Sequence, residues 1–134
     1  MELYAKDLRI GNWVYNPIQK INILVDFNVL NLIRLDNLRY AREIKKGEEC
    51  FQPIPLTEDI CRKFLDNDEE WSFEGYGTRL IYRHKKFGSI KVEIGGYDQI
   101  SLYVNNELLG FKSHLHKIQN IFYALTQTEL KIEL

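Results

Sequence analysis

Three histidines are the side chains in this sequence whose chemistry best suits proton transfer or metal binding. His114 and His116 lie two residues apart in a segment with a helical pattern, and His84 is far from both in sequence. Residues two apart on a helix point about 200° away from each other. Histidine pairs that bind a metal from one helix need a wider spacing, and structural zinc sites take four ligands. We therefore expect no metal site and no cofactor.

Other signatures of catalysis are missing from the sequence. It contains no GxSxG motif, and Cys50 and Cys61 form no CxxC pair. Gly95-Gly96 lacks the glycine spacing of a phosphate-binding loop. We therefore expect a protein without catalytic activity, with two free thiols that suit a reducing cytoplasm.

Basic side chains alternate with apolar ones along the strands predicted after residue 78. Strand parity places four of them on one face with an aromatic ring: Arg79, Arg83, Lys85, Lys91 and Tyr103. Basic groups beside an aromatic ring are typical of surfaces that bind single-stranded nucleic acid, where stacking contributes ~1–3 kcal/mol per base. Glu74 and Glu93 share this parity, and their negative charges weaken the positive electrostatic field of the face. The pattern therefore fits either a nucleic-acid-binding face or a solvated face with cross-strand ion pairs.

Trp13 and Tyr15 form a second candidate site, for protein recognition. Small β-barrels present aromatic side chains to bind peptides, as aromatic-lined grooves do for proline-rich segments. The alternative interpretation is that Trp13 fills the core of the N-terminal lobe, because aromatic side chains supply much of the burial in small cores.

Composition indicates one folded domain. The chain has 134 residues, of which 45% are hydrophobic and 28% charged. Its 18 basic and 19 acidic residues leave a net charge of −1, so the whole chain has no general attraction for nucleic acid. The first 30 residues lack the pattern of a signal peptide, and no apolar run is long enough to span a bilayer. These features predict a cytoplasmic protein.

The elements that would carry these residues begin with a β-rich lobe over residues 1–55. Apolar residues there follow an alternating pattern along Ile21, Ile23, Val25, Phe27, Leu30, Leu32 and Leu35. Alternation predicts strands, and several short strands predict a small SH3-like β-barrel. Residues 36–50 fit either a short helix or a long hairpin loop, and residues 51–54 fit one more short strand.

Residues 56–134 predict a helix, an antiparallel β-meander and a C-terminal helix. Thr57 is the expected N-cap of the first helix. Alternation over residues 71–111, with a turn at Asn105-Asn106, predicts about four strands. Ser113 is the expected cap of the last helix, whose apolar stripe is Leu115, Ile118, Ile121, Phe122 and Leu125. We expect this stripe to cover the sheet, so that the α+β chain forms one compact unit over residues 1–134.

Three stretches resemble small, uncharacterised proteins encoded by phages and integrated mobile elements of Bacteroidetes bacteria. They are residues 8–14 (LRIGNWV), residues 53–59 (PIPLTED), and residues 114–120 (HLHKIQN) followed by residues 122–126 (FYALT). In that group the last helix is followed by Thr-Gly-Glu-Glu-Leu or a similar run. Here Gln127-Thr128 replaces the Gly-Glu part, so we expect a different C-terminal cap. The resemblance implies a mobile-element setting and no catalytic or binding residue.

Missing catalytic motifs, balanced charge and many aromatic residues together favour a protein-binding or accessory module whose partner is another protein. The alternative is a nucleic-acid-binding protein that uses the basic sheet face. Self-association is a further expectation, because an edge strand such as Glu107–Phe111 can pair between copies and form a homodimer.

Overall fold

The structure is a computed structural model that describes residues 3–40, 51–66, 69–75, 78–97, 99–111 and 114–134. In this part the chain is an α+β protein with three α-helices and two antiparallel sheets. The chain divides into two compact units. We call Met1–Ile54 with His114–Ala124 the N-terminal unit, and Pro55–Ser113 with Leu125–Leu134 the sheet unit. No described helix is long and apolar enough to cross a membrane.

The N-terminal unit begins with a 3₁₀ turn, Ala5–Asp7, and a hairpin of two strands, β1 (Trp13–Asn16) and β2 (Ile21–Leu24). Helix α1, Phe27–Tyr40, follows directly. One cluster of buried apolar side chains in the described part of this unit consists of Leu3, Leu8, Val14, Val25, Ile33 and Phe51.

Helix α1 shows that the strands predicted from residue 27 to Leu35 are wrong. The carboxylate of Asp26 accepts a 2.8 Å hydrogen bond from the Val29 N–H, which caps the helix. Val29, Leu30 and Ile33 are spaced for one helical face, and they pack in or against the core. A run rich in leucine fits this pattern as well as alternation, and leucine favours a helix.

The SH3-like barrel is not confirmed, because neither sheet closes into a barrel in the described residues. Residues 51–54 form no strand; Gln52 makes a single antiparallel bridge to Tyr15. Of the segment 36–50, residues through Tyr40 are helical and residues 41–50 lie outside the described part.

The sheet unit confirms the predicted meander. After helix α2 (Glu58–Leu65), five antiparallel strands follow in chain order and pair in the same order. They are β3 (Trp71–Phe73), β4 (Leu80–His84), β5 (Ile90–Ile94), β6 (Ile100–Val104) and β7 (Glu107–Phe111). The Thr57 hydroxyl caps α2 by accepting the Ile60 N–H at 3.3 Å. Asn105 and Asn106 have φ angles of 53° and 64°, as a two-residue type I′ hairpin turn requires.

One face of this sheet is apolar and contacts α2. Phe64 of α2 meets Trp71 edge-on at 6.3 Å between ring centroids, and the Tyr82 hydroxyl donates to the Asp66 carboxylate at 2.6 Å. That the C-terminal helix also backs this sheet stays a prediction from the sequence. In the structure that helix, α3 (Leu115–Thr126), belongs to the N-terminal unit as far as Ala124.

Helix α3 ends at a residue with left-handed backbone. Gln127 has a φ of 58°, the conformation that glycine usually supplies just after a helix. Ser113, the predicted N-cap, lies outside the described residues.

Candidate functional site

The polar face of the five-stranded sheet carries most of the predicted basic cluster. The register places Arg83 opposite Lys91, and Lys91 opposite Tyr103, so the three form one row across β4, β5 and β6. The Lys91 ammonium lies 4.7 Å from the centre of the Tyr103 ring. Arg79 precedes β4 on the same parity, whereas Lys85 lies in the bend after β4 with an exposed side chain. The structure therefore brings four of the five predicted residues onto one face.

Two glutamates pair with the cations of this face. Glu93 lies 3.3 Å from the Lys91 ammonium and 3.7 Å from the Arg79 guanidinium, and Glu74 lies 3.2 Å from the Arg83 guanidinium. Because each of these three cations has a carboxylate within ion-pair distance, the positive field above the sheet is weak. This arrangement matches the alternative interpretation of the sequence pattern, a solvated face with cross-strand ion pairs instead of a nucleic-acid-binding face.

The hairpin of the N-terminal unit places Trp13 and Tyr15 together on its outer face. Val14 between them is fully buried, so the neighbouring side chains of β1 point the other way. Trp13 lies opposite Leu24 of β2, which is 51% exposed, and both aromatic side chains are half-buried. The alternative interpretation placed Trp13 in the core of the N-terminal lobe, but Val14 occupies the buried position.

Two buried amides hold this hairpin against helix α3. Gln119, 1% exposed, accepts the Trp13 N–H at 2.9 Å and donates to the Gly11 carbonyl at 3.2 Å. Asn12, fully buried, accepts the Arg9 N–H at 2.7 Å and donates to Asn120 at 2.8 Å. Each buried amide therefore has partners for both its donor and its acceptor.

The amide contacts join residues 8–14 to residues 114–120, two of the three stretches on which the resemblance is based. The Leu115 N–H donates to the Ile54 carbonyl at 2.9 Å and so joins the third stretch, residues 53–59, to them. Sequence reasoning missed Asn12 and Gln119. The signal that could have found them is a polar residue on the apolar side of a predicted element. Asn12 stands before an apolar strand, and Gln119 stands beside Ile118. Gly11 was recognisable as a bend, and its φ of 98° requires glycine.

Helix α1 presents a second apolar face to solvent. Four large side chains lie there: Phe27 (75% exposed), Leu32 (47%), Leu35 (42%) and Leu38 (57%). At 3.6 residues per turn they fall within an arc of about 140°, opposite the arc that holds Val29, Leu30 and Ile33. Single exposed apolar residues are common on proteins, but a grouped set on one helix indicates an interaction surface. We call these four residues the outer face of α1.

His84 has a structural position in the sheet unit. Its ring is 1% exposed, and Nδ1 accepts the backbone N–H groups of Lys86 and Phe87 at 3.2 and 3.0 Å. The proton is therefore on Nε2, which lies 3.3 Å from the Glu70 carboxylate. The ring also meets Trp71 edge-on at 4.9 Å. These contacts fix the bend after β4 and leave neither ring nitrogen directed at solvent.

His114 and His116 do not point apart as predicted. His114 lies just before the first residue of α3, and the two rings stack 5.9 Å apart at an interplanar angle of 15°. Burial, and secondarily the neighbouring His114 and Lys117, lower the pKa of His116 to about 4, while Asp7 acts in the opposite direction. Burial and Lys117 also lower the pKa of His114. Both rings are therefore neutral at pH 7.

The sheet unit also has an open groove of about 1100 Å³ beside the end of α2. Its charged lining alternates in sign: Lys63, Glu69, Glu70, Lys131 and Glu133. Glu70 is 3.6 Å from the Lys131 ammonium. Within the described residues, no group of three histidine, cysteine or carboxylate side chains is arranged to hold a metal ion.

Comparison of the chain with protein-family models, with curated proteins and with solved structures finds no match.

Proposed function

We propose that this protein is a non-catalytic protein-binding module that contacts its partner through the outer face of α1. The observation that carries the proposal is the second apolar face of this helix. One side of α1 contributes to the core of the N-terminal unit, and the other exposes Phe27, Leu32, Leu35 and Leu38. Removal of such side chains from water is the main favourable term in protein association.

The chemistry of the outer face suits a protein rather than a nucleic acid. Its four large side chains are uncharged, whereas nucleic-acid binding depends on cations that neutralise phosphates. Apolar and aromatic side chains are the groups that form the centres of protein interfaces. Leu24, Trp13 and Tyr15 on the hairpin of the same unit add apolar surface.

The resemblance to phage and mobile-element proteins suggests the setting in which such a module acts. A cytoplasmic partner from the same bacterial cell is the natural occupant of the outer face.

The test is quantitative capture of partners from a native, nuclease-treated bacterial lysate with the tagged chain as bait. The test variant is Leu35→Lys, in the outer face, and the matched control is Leu125→Lys. Leu35 and Leu125 are both helical leucines, 42% and 43% exposed. Both substitutions should change the free energy of unfolding by less than about 0.5 kcal/mol, because both sites are exposed.

We expect Leu35→Lys to reduce recovery of a specific partner at least about tenfold, as truncation of a central interface residue does. Leu125→Lys should recover as much as the original chain. Equal recovery by all three chains would exclude the outer face of α1, and recovery of no stoichiometric protein would contradict the proposal as a whole.

A nucleic-acid-binding function for the polar sheet face is the second candidate, and the row of Arg83, Lys91 and Tyr103 favours it. A lysine above an aromatic ring is a feature of single-strand binding surfaces. The ion pairs with Glu74 and Glu93 weigh against it. Two results would establish this candidate. Single-stranded DNA should bind with an affinity that falls steeply as salt rises, and the double substitution Arg83→Glu with Lys91→Glu should abolish this binding.

A further inference from the structure

Strand β2 has an open edge whose hydrogen-bonding groups can be identified. Tyr15 exchanges two backbone hydrogen bonds with Gln52, at 2.8 and 2.7 Å, so its N–H and C=O point away from β2. Backbone direction alternates along an antiparallel strand, which turns Ile21 and Ile23 toward β1. The N–H and C=O groups of Asn22 and Leu24 therefore point outward, and among the described residues β2 pairs with β1 alone.

The open edge of β2 is regular and uncharged. Its four pairs with β1 run without a register shift, and Ile21–Leu24 contains no charged residue and no proline. Ile21 and Leu24 are about half exposed on its two faces. A regular, uncharged edge of this kind is a template for pairing with another strand.

The other predicted pairing edge, β7, lacks these properties. Leu102 pairs with Gly110 and Tyr103 with Leu108, so Leu109 is an extra residue and β7 carries a bulge. A bulge on an edge strand disturbs the regular spacing of its outward groups and opposes pairing between chains. Self-association through Glu107–Phe111, which the sequence suggests, is therefore less favourable than pairing through β2.

A second copy of the chain fits the edge of β2 in one register. With the two Ile23 residues opposite each other on a two-fold axis, Asn22 of one copy lies opposite Leu24 of the other. The outward N–H and C=O groups of these residues then form two complete hydrogen-bonded pairs. Just beyond the paired strands, the same register brings Lys20, in the turn before β2 with a φ of 57°, toward Asp26 of the second copy, twice, so opposite charges face each other at both ends.

We propose that the chain forms a two-fold dimer in which β2 pairs antiparallel with β2 of a second copy, producing a four-stranded sheet. This inference goes beyond the proposed partner binding, because it concerns β2 and not the outer face of α1. The occupant is a second copy because one strand end carries a positive charge and the other a negative one, so an antiparallel copy of the same strand matches both ends at once. An isologous contact of this type is the commonest route to a soluble dimer.

The first measurement is the molecular mass of the full chain in solution by sedimentation equilibrium across a concentration series. We expect a concentration-dependent rise from 15.9 kDa to twice that mass. Leu24→Pro removes one outward N–H in each copy and spares the bonds between β1 and β2. It should raise the dissociation constant of the dimer by about 30-fold, because two hydrogen bonds are lost. Circular dichroism establishes that the variant is folded.

Charge variants supply a test that leaves the strand intact. Lys20→Glu places like charges opposite each other and should weaken the dimer several-fold at low salt, and Asp26→Asn in the same chain should restore most of the affinity. Asparagine is as good an N-cap as aspartate, so α1 keeps its start. A dimer that is unaffected by these changes would contradict the proposed register.

Cross-linking tests the register directly in a Cys50→Ser chain. Two Ile23 residues on the axis should have Cα atoms about 4.5 Å apart, a separation that a disulfide can bridge. Ile23→Cys should therefore form a disulfide-linked dimer under mild oxidation, and Asn22→Cys, whose two copies lie too far apart, should not. A chain that stays at 15.9 kDa at all concentrations, or equal cross-linking at both positions, would overturn the proposal.

Discussion

The sheet unit and the N-terminal unit differ in how far the exposed groups of each unit find partners within that unit. On the polar face of the sheet, Glu93 and Glu74 lie within ion-pair distance of Arg79, Lys91 and Arg83. The edge strand β7 of that sheet is interrupted by a bulge. On the N-terminal unit, helix α1 exposes four large apolar side chains, and the edge of β2 is regular and open.

Under the proposed function, this difference makes surface charge a poor guide to binding in this protein. A charged face can be satisfied within the chain, because strand register places carboxylates next to cations. An exposed leucine has no equivalent internal partner; only another surface removes it from water, at about 25 cal/mol per Å² of apolar area. If the proposed function holds, the free energy of association comes from the N-terminal unit, although the basic cluster is the more visible signal in the sequence.

The largest expected effect separates the two units by their response to acid. The pKa of His116, about 4 in the folded chain, lies below the value of 6.5 for an unfolded histidine. Between these values the unfolded chain binds more protons, so stability rises with pH and is lost as the pH falls from 6.5 to 4. The full shift corresponds to about 3 kcal/mol. The N-terminal unit should therefore unfold first on acidification.

Fluorine NMR of the chain labelled with 5-fluorotryptophan checks this order, because Trp13 reports on the N-terminal unit and Trp71 on the sheet unit. The control is His116→Leu, which removes the titrating group from a site where Nδ1 has no described hydrogen bond. This variant should lose most of the acid sensitivity between pH 6.5 and 4. An unchanged pH profile would show that carboxylates, and not His116, govern the acid response.

The sheet unit was predictable because its signals are local and agree with one another. Alternation in β4, β5 and β6, paired asparagines that tolerate positive φ, and a threonine before two acidic residues each determine an element within a few residues. The parity of Arg83, Lys91 and Tyr103 followed from the same alternation. The ion pairs of Glu93 depend on side-chain geometry across strands, which parity permits but does not determine.

The N-terminal unit was harder because its signals conflict. Leu30, Leu32 and Leu35 satisfy both a strand and a two-sided helix, and the cap at Asp26 was the signal that distinguished them. The contacts of Gln119 with Gly11 and Trp13 join residues more than 100 positions apart, and no local pattern reports such a pairing. The place of α3 in this unit follows from those contacts and could not be read from its apolar stripe.

A smaller effect should appear at alkaline pH and belong to the sheet unit. Burial and the hydrogen bond to Asp66 raise the pKa of Tyr82 to about 12. The folded chain then holds this proton more tightly than the unfolded chain, so the stability that it contributes is present below pH 10 and is lost as the pH rises toward 12. The rise of the pKa from 10 to about 12 corresponds to a loss of stability of at most about 2.7 kcal/mol over this range.

Tyr82→Phe tests the alkaline response. It should cost about 1 kcal/mol at neutral pH, since one hydrogen bond to an exposed carboxylate is lost. It should also flatten the profile above pH 10, with the fluorine signal of Trp71 as the reporter. A steep alkaline loss that persists in the variant would place the responsible group elsewhere.

The smallest effect tests whether the polar sheet face is satisfied by its own ion pairs. Glu93→Gln removes the carboxylate shared by Lys91 and Arg79 and should lower the free energy of unfolding by about 0.5 kcal/mol at low salt, and by almost nothing in 1 M salt. Glu74→Gln, which releases Arg83 alone, is the matched control and should have a smaller effect.

The same variant can break the comparison between the two units. Glu93→Gln leaves the sheet face with more unpaired positive charge while the fold is kept, so it provides a more basic surface than the original chain presents. If single-stranded DNA still fails to bind at low salt, the face is a solvated one and association belongs to the N-terminal unit. If binding appears, and the slope of log K against log salt concentration increases by the amount expected for about one phosphate contact, Glu93 is the residue that keeps a nucleic-acid surface inactive.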